Sequence, residues 1–235
     1  RILFALASSE HGLTVKEVAA NFELSTPTAY HLINTLVYEG IVVKDERRRY
    51  LLGPAASIIS EGFARTNPIP DRYLEAVQRL ASVSGETAYL SGWRNGAIAV
   101  LSAVEGSQAV RVAGLSTGYS DNLHARASGK LLLAFAPEAL REAVLDRTVL
   151  RRMTPQTIVS RTGLYKEFER IREADVAFDR EEFHPGVECV SAPIREGGVV
   201  TASLTLSCPA ERFRQREPEL VELIHSIASE ASRSS

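Results

Sequence analysis

The helix stops and caps within residues 1–40 limit what this chain can fold into. Ile2, Leu3, Leu6 and Ala7 fall at helical spacing, and Gly12 stops that pattern. Thr14, with Glu17 three residues on, has the pattern of a capping box. It opens a second helix with Val15, Val18, Ala19 and Phe22 on its apolar face. Ser25 stands as an N-cap with Pro27 in the first turn behind it. That third helix turns Leu32, Ile33, Leu36 and Val37 inward and ends at Gly40. Two β-rich runs, 41–44 and 50–52, flank a charged tip, Asp45 to Arg49. Three short helices and a hairpin in this order predict a winged helix-turn-helix over residues 1–53. The helical period is already running at Ile2, so a few residues are expected to precede Arg1.

In such a unit the second helix braces the third, whose first turns meet the base edges in the major groove. That assigns Ser25, Thr26, Thr28, Tyr30 and His31 to the DNA, since hydroxyls and imidazole contact phosphates and bases. Arg47, Arg48 and Arg49 on the wing would add phosphate or minor-groove contacts, and Lys16 a backbone contact. Bulk charge does not carry this reading. Residues 1–53 hold six Lys/Arg and six Asp/Glu, and the whole chain has a formal net charge of -2. Any DNA contact must therefore be a local patch. A triple-Arg turn is also what a solvated hairpin tip looks like, and a three-helix unit with a hairpin can serve as a protein-interaction module.

Past Gly53-Pro54 a linker helix is expected over 54–67, with Ala55, Ile58, Ile59, Gly62 and Phe63 at helical spacing. Asn67, Pro68 and Pro70 mark a boundary. Residues 68–235 then alternate helical and strand patterns, which predicts an α+β domain. Helices fit near Leu74–Ala81, Ser128–Phe135, Pro137–Leu145, Tyr165–Ala174 and through Leu220–Ile227. Strands fit Thr87–Gly92, Ala97–Val104, Val187–Ile194 and Val199–Ser207, with Asn95-Gly96 as a hairpin turn. Gly114–Asn122 reads as a mobile loop. Cys189 and Cys208 show no paired spacing, which suits a reducing cytoplasm. No signal-peptide pattern opens the chain, and no apolar run reaches membrane-spanning length.

Several stretches taken together resemble the IclR (isocitrate lyase regulator) family. They are Leu13–Ala19, Leu24–Leu36 and Glu39–Val42 in the first domain, then Leu123–Phe135, Asp179–Ile194 and Ser203–Phe213 in the second. The match runs nearly end to end, in the family's order. It implies a DNA-binding transcriptional regulator with a GAF-like effector-binding domain. It also implies a homo-dimer or tetramer, with double-stranded operator DNA and a small effector as partners. Carried over by motif, the effector contacts become Ala127, Ser128, Asp179, Val187, Cys189, Thr205 and Ser207. Spacing agrees, because Val187 and Cys189 share a strand face, as do Thr205 and Ser207. The start of the helix at Ser128 offers free N–H groups that suit a carboxylate, and Ala127, Ser128 and Gly129 are small enough for close approach. The effector is therefore expected to be a carboxylic or aromatic acid, acting by population shift through the helix at Ala55–Arg65. Two positions depart from the family pattern. Pro27 lacks an N–H for a phosphate, and His31 is a weaker donor than the arginine common there.

Other readings of the same residues remain open at this level. Cys189 with His184 or His124 and Asp179 could form a cysteine-dependent enzyme site. Cys189 could equally be a buried apolar filler, and Asp179 a turn cap. Trp93 reads as an exposed or packing aromatic. No metal spacing surrounds His124 or His184, so no metal or cofactor is expected, and no catalytic residue is assigned.

Overall fold

A computed structural model describes residues 1–112 and 117–232. The chain divides into two compact units, Arg1–Pro68 and Ile69–Ser235.

The first unit contains α1 (Ile2–Ala7), α2 (Val15–Asn21), α3 (Thr26–Tyr38), β1 (Val42–Lys44), β2 (Tyr50–Leu52) and α4 (Ala55–Thr66). Both caps read from the sequence are present. Thr14 N–H donates to Glu17 Oε2 at 2.6 Å and Glu17 N–H returns to Thr14 Oγ1 at 3.3 Å, closing the box that starts α2. Ser25 Oγ accepts from Thr28 N–H at 3.2 Å and starts α3. Gly12 lies at φ +69°, and a Cβ there would meet Tyr50 O at 2.6 Å. That close approach lets Leu13 and Tyr50 exchange backbone hydrogen bonds at 3.0 and 2.8 Å, stitching α2's entry to the wing. The core gathers Leu6, Val18, Ala29, Ile33, Val42 and Tyr50. One expectation changes: α3 turns Ala29 inward, whereas Leu32 is 45% exposed. Residues i and i+4 share a helix face, so Ala29 and Ile33 form the stripe and Leu32 sits beside it. Helix α4 buries none of its residues, and Ile58, Ile59 and Phe63 are exposed.

The second unit contains α5 (Asp71–Ser84), β3 (Thr87–Arg94), β4 (Ala97–Val104), α6 (Ala127–Phe135), α7 (Glu138–Leu145) and α8 (Arg161–Ala174). It continues with β5 (Ala177–Arg180), β6 (Val187–Glu196), β7 (Val199–Pro209) and α9 (Ala210–Ser232). The strands form one antiparallel sheet in the order β4-β3-β7-β6-β5. Hairpin β3–β4 turns at Asn95 and Gly96, both at positive φ, as Asn-Gly turns require.

The sheet has two unlike faces. One is apolar: Ala88, Leu90, Val190, Ile194, Leu204 and Leu206 pack on Val77 and Leu80 of α5 and on Phe213, Leu220 and Ile224 of α9. The other carries Thr87, Tyr89, Ser91, Cys189, Ser191, Ser203, Thr205 and Ser207, all buried. Ala177 on this face joins a second core with Leu131 and Leu132 of α6 and Leu164, Phe168 and Ile171 of α8. A buried sheet face this rich in hydroxyls is costly unless the hydroxyls find partners.

Three elements differ from the sequence reading. Strand β5 was not expected, because four residues are too short to show a period. Helix α8 begins at Arg161, where Ser160 Oγ accepts from Gly163 N–H at 3.1 Å, ahead of the expected Tyr165. Helix α9 begins at Ala210 and runs through Pro218. Ion pairs hold its polar first half, Arg212 with buried Glu86, Arg214 with Glu188, and Glu217 with Arg180.

Candidate DNA interface and effector cavity

On the first unit, Lys16, Ser25, Thr26, Thr28, Tyr30, His31, Arg47 and Arg48 are all exposed. Ser25, Thr26, Thr28, Tyr30 and His31 lie on the opening turns of α3. Arg49 behaves differently from its two neighbours. It is half-buried, its Nη1 donates to Gly12 O at 2.7 Å, and it faces Glu17 at 3.5 Å. The triple-Arg tip therefore divides into two solvated cations and one arginine that latches the wing to the start of α2. The Ser25 and Thr28 hydroxyls lie 2.7 Å apart, so each has the other as a partner.

On the second unit, a cavity of about 420 Å³ opens over the hydroxyl-rich sheet face. Strand register explains its lining. Asp179 pairs with Cys189, Cys189 with Ser207, and Ser207 with Thr87. These four residues form one row across β5, β6, β7 and β3, and all four line the cavity. Val187 and Pro209, paired with each other one step outward, also line it. One step inward lie Ala177, Ser191, Thr205 and Tyr89. Of these only Tyr89 is long enough to reach the cavity.

The sequence-derived effector set is thus divided. Asp179, Val187, Cys189 and Ser207 line the cavity. Thr205 shares their face but lies a row deeper, with its hydroxyl 2.9 Å from Ser191 Oγ. Ala127 and Ser128 are fully buried and outside the lining. Gly129 is small for a different reason from the one expected: a Cβ there would meet Leu123 O at 2.3 Å. The backbone of Leu123 fills the space expected for a ligand. Of the expected loop Gly114–Asn122, residues 114–116 lie outside the described residues. Gly118 and Tyr119 pair with Val100 through N–H···O bonds of 2.8 and 3.0 Å.

The electrostatics set limits on chemistry. Asp179 Oδ1 accepts from the N–H groups of Glu182 (2.7 Å) and Phe183 (3.2 Å), so it does cap a turn. Burial nevertheless raises its carboxyl to about 7, against the opposing pull of Lys130. Cys189 Sγ lies 2.8 Å from Ser207 Oγ, and burial raises its thiol far above the ordinary range. A nucleophilic cysteine needs the opposite environment. His184, at the cavity rim, has its Nδ1 2.7 Å from Pro185 O. His124 lies outside the lining, with Nε2 2.8 Å from Arg151 O, and burial lowers its pKa. Trp93 packs against the second core. Among the described residues, no group of three or more His, Cys, Asp or Glu could hold a metal. No helix there is long and apolar enough to cross a membrane.

Sequence reasoning missed several lining residues: Tyr119, Phe183, Tyr89, Thr87 and, above all, Arg126. Arg126 is only 2% exposed. Its signal was legible as the one cation amid small residues, between Ala125 and Ala127, at the N-cap of α6. Its guanidinium carbon lies 5.0 Å from the Tyr119 ring centroid, and Tyr119 and Phe183 pair at 6.2 Å.

Comparison with known proteins supplies a family. Residues 1–46 match the IclR helix-turn-helix domain, and residues 65–233 match the bacterial transcriptional regulator IclR C-terminal domain. The HTH-type transcriptional regulator BhcR of Paracoccus denitrificans is 31% identical over 88% of this chain and 75% of its own length. The solved IclR of Thermotoga maritima is 29% identical, with a TM-score of 0.77 over 99% of this chain and 94% of that one. An IclR homolog from Microbacterium hydrocarbonoxydans, solved with 4-hydroxybenzoate, shares the fold. Its TM-score is 0.77 at 21% identity, over 95% of this chain and 91% of that one. An N-terminal helix-turn-helix, a C-terminal α+β effector-binding domain, and family matches that together span nearly the whole chain lead to one assignment: this chain belongs to the IclR family of transcriptional regulators.

Proposed function

We propose that the 420 Å³ cavity is the effector site of this regulator and that its ligand is a small organic acid. The observation that carries this reading is the row Asp179–Cys189–Ser207–Thr87. It sets hydrogen-bonding groups from four strands on one wall of a cavity whose other lining residues include the apolar or aromatic Tyr119, Phe183, Val187 and Pro209 and the cations Arg111 and Arg126. Small-molecule sites combine apolar walls with a few convergent polar groups in this way. The Microbacterium homolog's 4-hydroxybenzoate supplies the first compound to test. Lys16, Ser25, Thr26, Thr28, Tyr30, His31, Arg47 and Arg48 form the proposed DNA contact, with Arg49 supporting the wing. The protein acts as a homo-oligomer in the cytoplasm, without a catalytic step. The buried, protonated Cys189 and the naming of its relatives as regulators support that last point.

The test is reciprocal linkage. An effector that changes operator affinity by some factor must have its own affinity changed by DNA by the same factor. Titrating the full chain with 4-hydroxybenzoate, benzoate and lactate, with and without DNA from upstream of its gene, should give equal factors for the acid that binds. Ser207→Leu, which fills the cavity row, should abolish acid binding while leaving basal DNA affinity unchanged. Acid binding that survives Ser207→Leu places the effector elsewhere.

A further inference from the structure

Arg126 poses an energetic problem. It is among the largest fully buried side chains, yet among the described residues its only hydrogen-bond acceptors are Asp121 O and Ser128 Oγ, each at 3.3 Å. Its Nε–H has no partner among the described residues. Nor does any carboxylate there come within ion-pair distance of it. Residues 113–116 are Ala, Gly, Leu and Ser, so that stretch brings no acid either.

Other buried or partly buried ions of this unit are treated quite differently. Lys130 meets Glu182 and Glu167, Glu86 meets Arg212 and Arg216, and Glu188 meets Arg180 and Arg214. Taking a charge out of water without a counterion is strongly destabilising, because no attraction offsets the lost hydration. Arginine cannot escape this by losing its proton. The unpaired guanidinium lines the cavity, stacked on Tyr119.

We propose, on the basis of the effector-site reading above, that Arg126 is the carboxylate receptor of the cavity and selects monocarboxylic acids by charge. The acid group pairs with the guanidinium, supplying the counterion that the fold withholds, through charge-assisted N–H···O bonds. The far end of the ligand meets Asp179, Cys189, Ser207 and Thr87, which offer hydrogen bonds; the cavity's other arginine, Arg111, is exposed and already paired with Glu105 at 2.9 Å. A hydroxyl or other neutral polar group suits that end. A second carboxylate would face Asp179, which is ionised above about pH 7, and is disfavoured at pH 8, where binding is measured. Tyr119 and Phe183 provide a wall for a flat ring or a short chain.

Acid–amide pairs test this directly, because an amide keeps the shape and removes the charge. The pairs are 4-hydroxybenzoate with 4-hydroxybenzamide, benzoate with benzamide, and lactate with lactamide, with terephthalate as the diacid. Binding to the full chain is measured by calorimetry on wild type, Arg126→Gln, Arg126→Lys and Ser207→Leu. The wild type should prefer at least one acid over its amide by at least about thirtyfold, the scale of a truncated buried charge pair. Arg126→Gln should bring that preference close to one while keeping amide affinity, and Arg126→Lys should keep part of it. Terephthalate should bind more weakly than benzoate.

Arg126→Gln should also melt no lower than wild type without ligand, because it removes an uncompensated charge. If that variant does not fold, the Lys variant carries the test, and an unchanged preference there with terephthalate binding as tightly as benzoate overturns the proposal. An acid preference undiminished in a folded Arg126→Gln overturns it as well, while leaving the cavity reading intact. Acid binding that survives Ser207→Leu, or no acid binding at all, defeats the cavity reading itself.

Discussion

Asp179 is held by two backbone N–H groups yet keeps its proton to about pH 7, because burial outweighs those bonds and Lys130. Glu182 beside it adds to the rise. Stability follows the difference in bound protons between the folded and unfolded chains. Between the ordinary aspartate value of 3.8 and about 7, the folded chain binds a proton that the unfolded chain has released. This group's contribution to stability is therefore greatest below pH 4, falls as pH rises through that window, and is flat above it. Asp179→Asn keeps the acceptor oxygen and removes the titration. Its melting temperature relative to wild type should rise between pH 4.5 and pH 8, as followed by circular dichroism; a pH-independent difference would remove Asp179 as the cause. Arg49→Ala should cost the first unit about 1–2 kcal/mol, because Gly12 O loses its charged donor. Arg47→Ala and Arg48→Ala, at exposed positions, should stay within about 0.5 kcal/mol. Denaturant melts of residues 1–68 distinguish the three. Sequence could not separate these arginines, since Asp45 to Arg49 is a uniform charged run and only the fold turns one of them inward.

At the scale of elements, legibility followed the length and chemistry of the signal. Helices α2 and α3 were legible to within a residue, because Thr14, Glu17 and Ser25 announce helix starts by hydrogen bonds that form locally. The β3–β4 hairpin was legible from Asn95-Gly96, because few residues tolerate two positive φ values in succession. Strand β5 and the first half of α9 were not, since both are fixed by pairing with distant segments. The cavity row was half legible for the same reason. A two-residue spacing shows that Thr205 and Ser207 share a face, but only strand register shows that Ser207 stands in the cavity row and Thr205 one row deeper. The wing gives an element-scale prediction. Replacing Arg47 and Arg48 together by Ala should flatten the slope of log K against log salt for operator binding by roughly 1.8, about 0.9 for each phosphate no longer neutralised. Mobility shifts across a salt series measure it, and an unchanged slope takes the wing off the DNA.

The whole molecule carries two kinds of core. The first unit is closed around Val18, Ile33, Val42 and Tyr50, and the second around both sides of its sheet. Each unit thus has the apolar interior an independently folding domain needs. A fragment of residues 69–235 should fold alone and show the same acid-dependent rise in melting temperature as that unit does in the full chain. Calorimetric scans of both proteins with 4-hydroxybenzoate test this, and a rise confined to the full chain would mean that the site needs the first unit.

The row across β5, β6, β7 and β3 occupies one face of strands whose other face is core. Register is fixed by the apolar face, where Leu90, Val190, Leu204 and Leu206 meet α5 and α9. The proposed ligand contacts come from the opposite face, one side chain per strand. Frame and recognition are therefore written on alternate letters of the same strands. Among the described residues the Cys189 and Ser207 side chains bond only each other, so either can be exchanged without removing a backbone partner, whereas Asp179 and Thr87 also hold the N–H groups of Glu182, Phe183 and Gly106. If the row is the effector site, single substitutions at Cys189 or Ser207 change what the cavity accepts while leaving the strand frame in place.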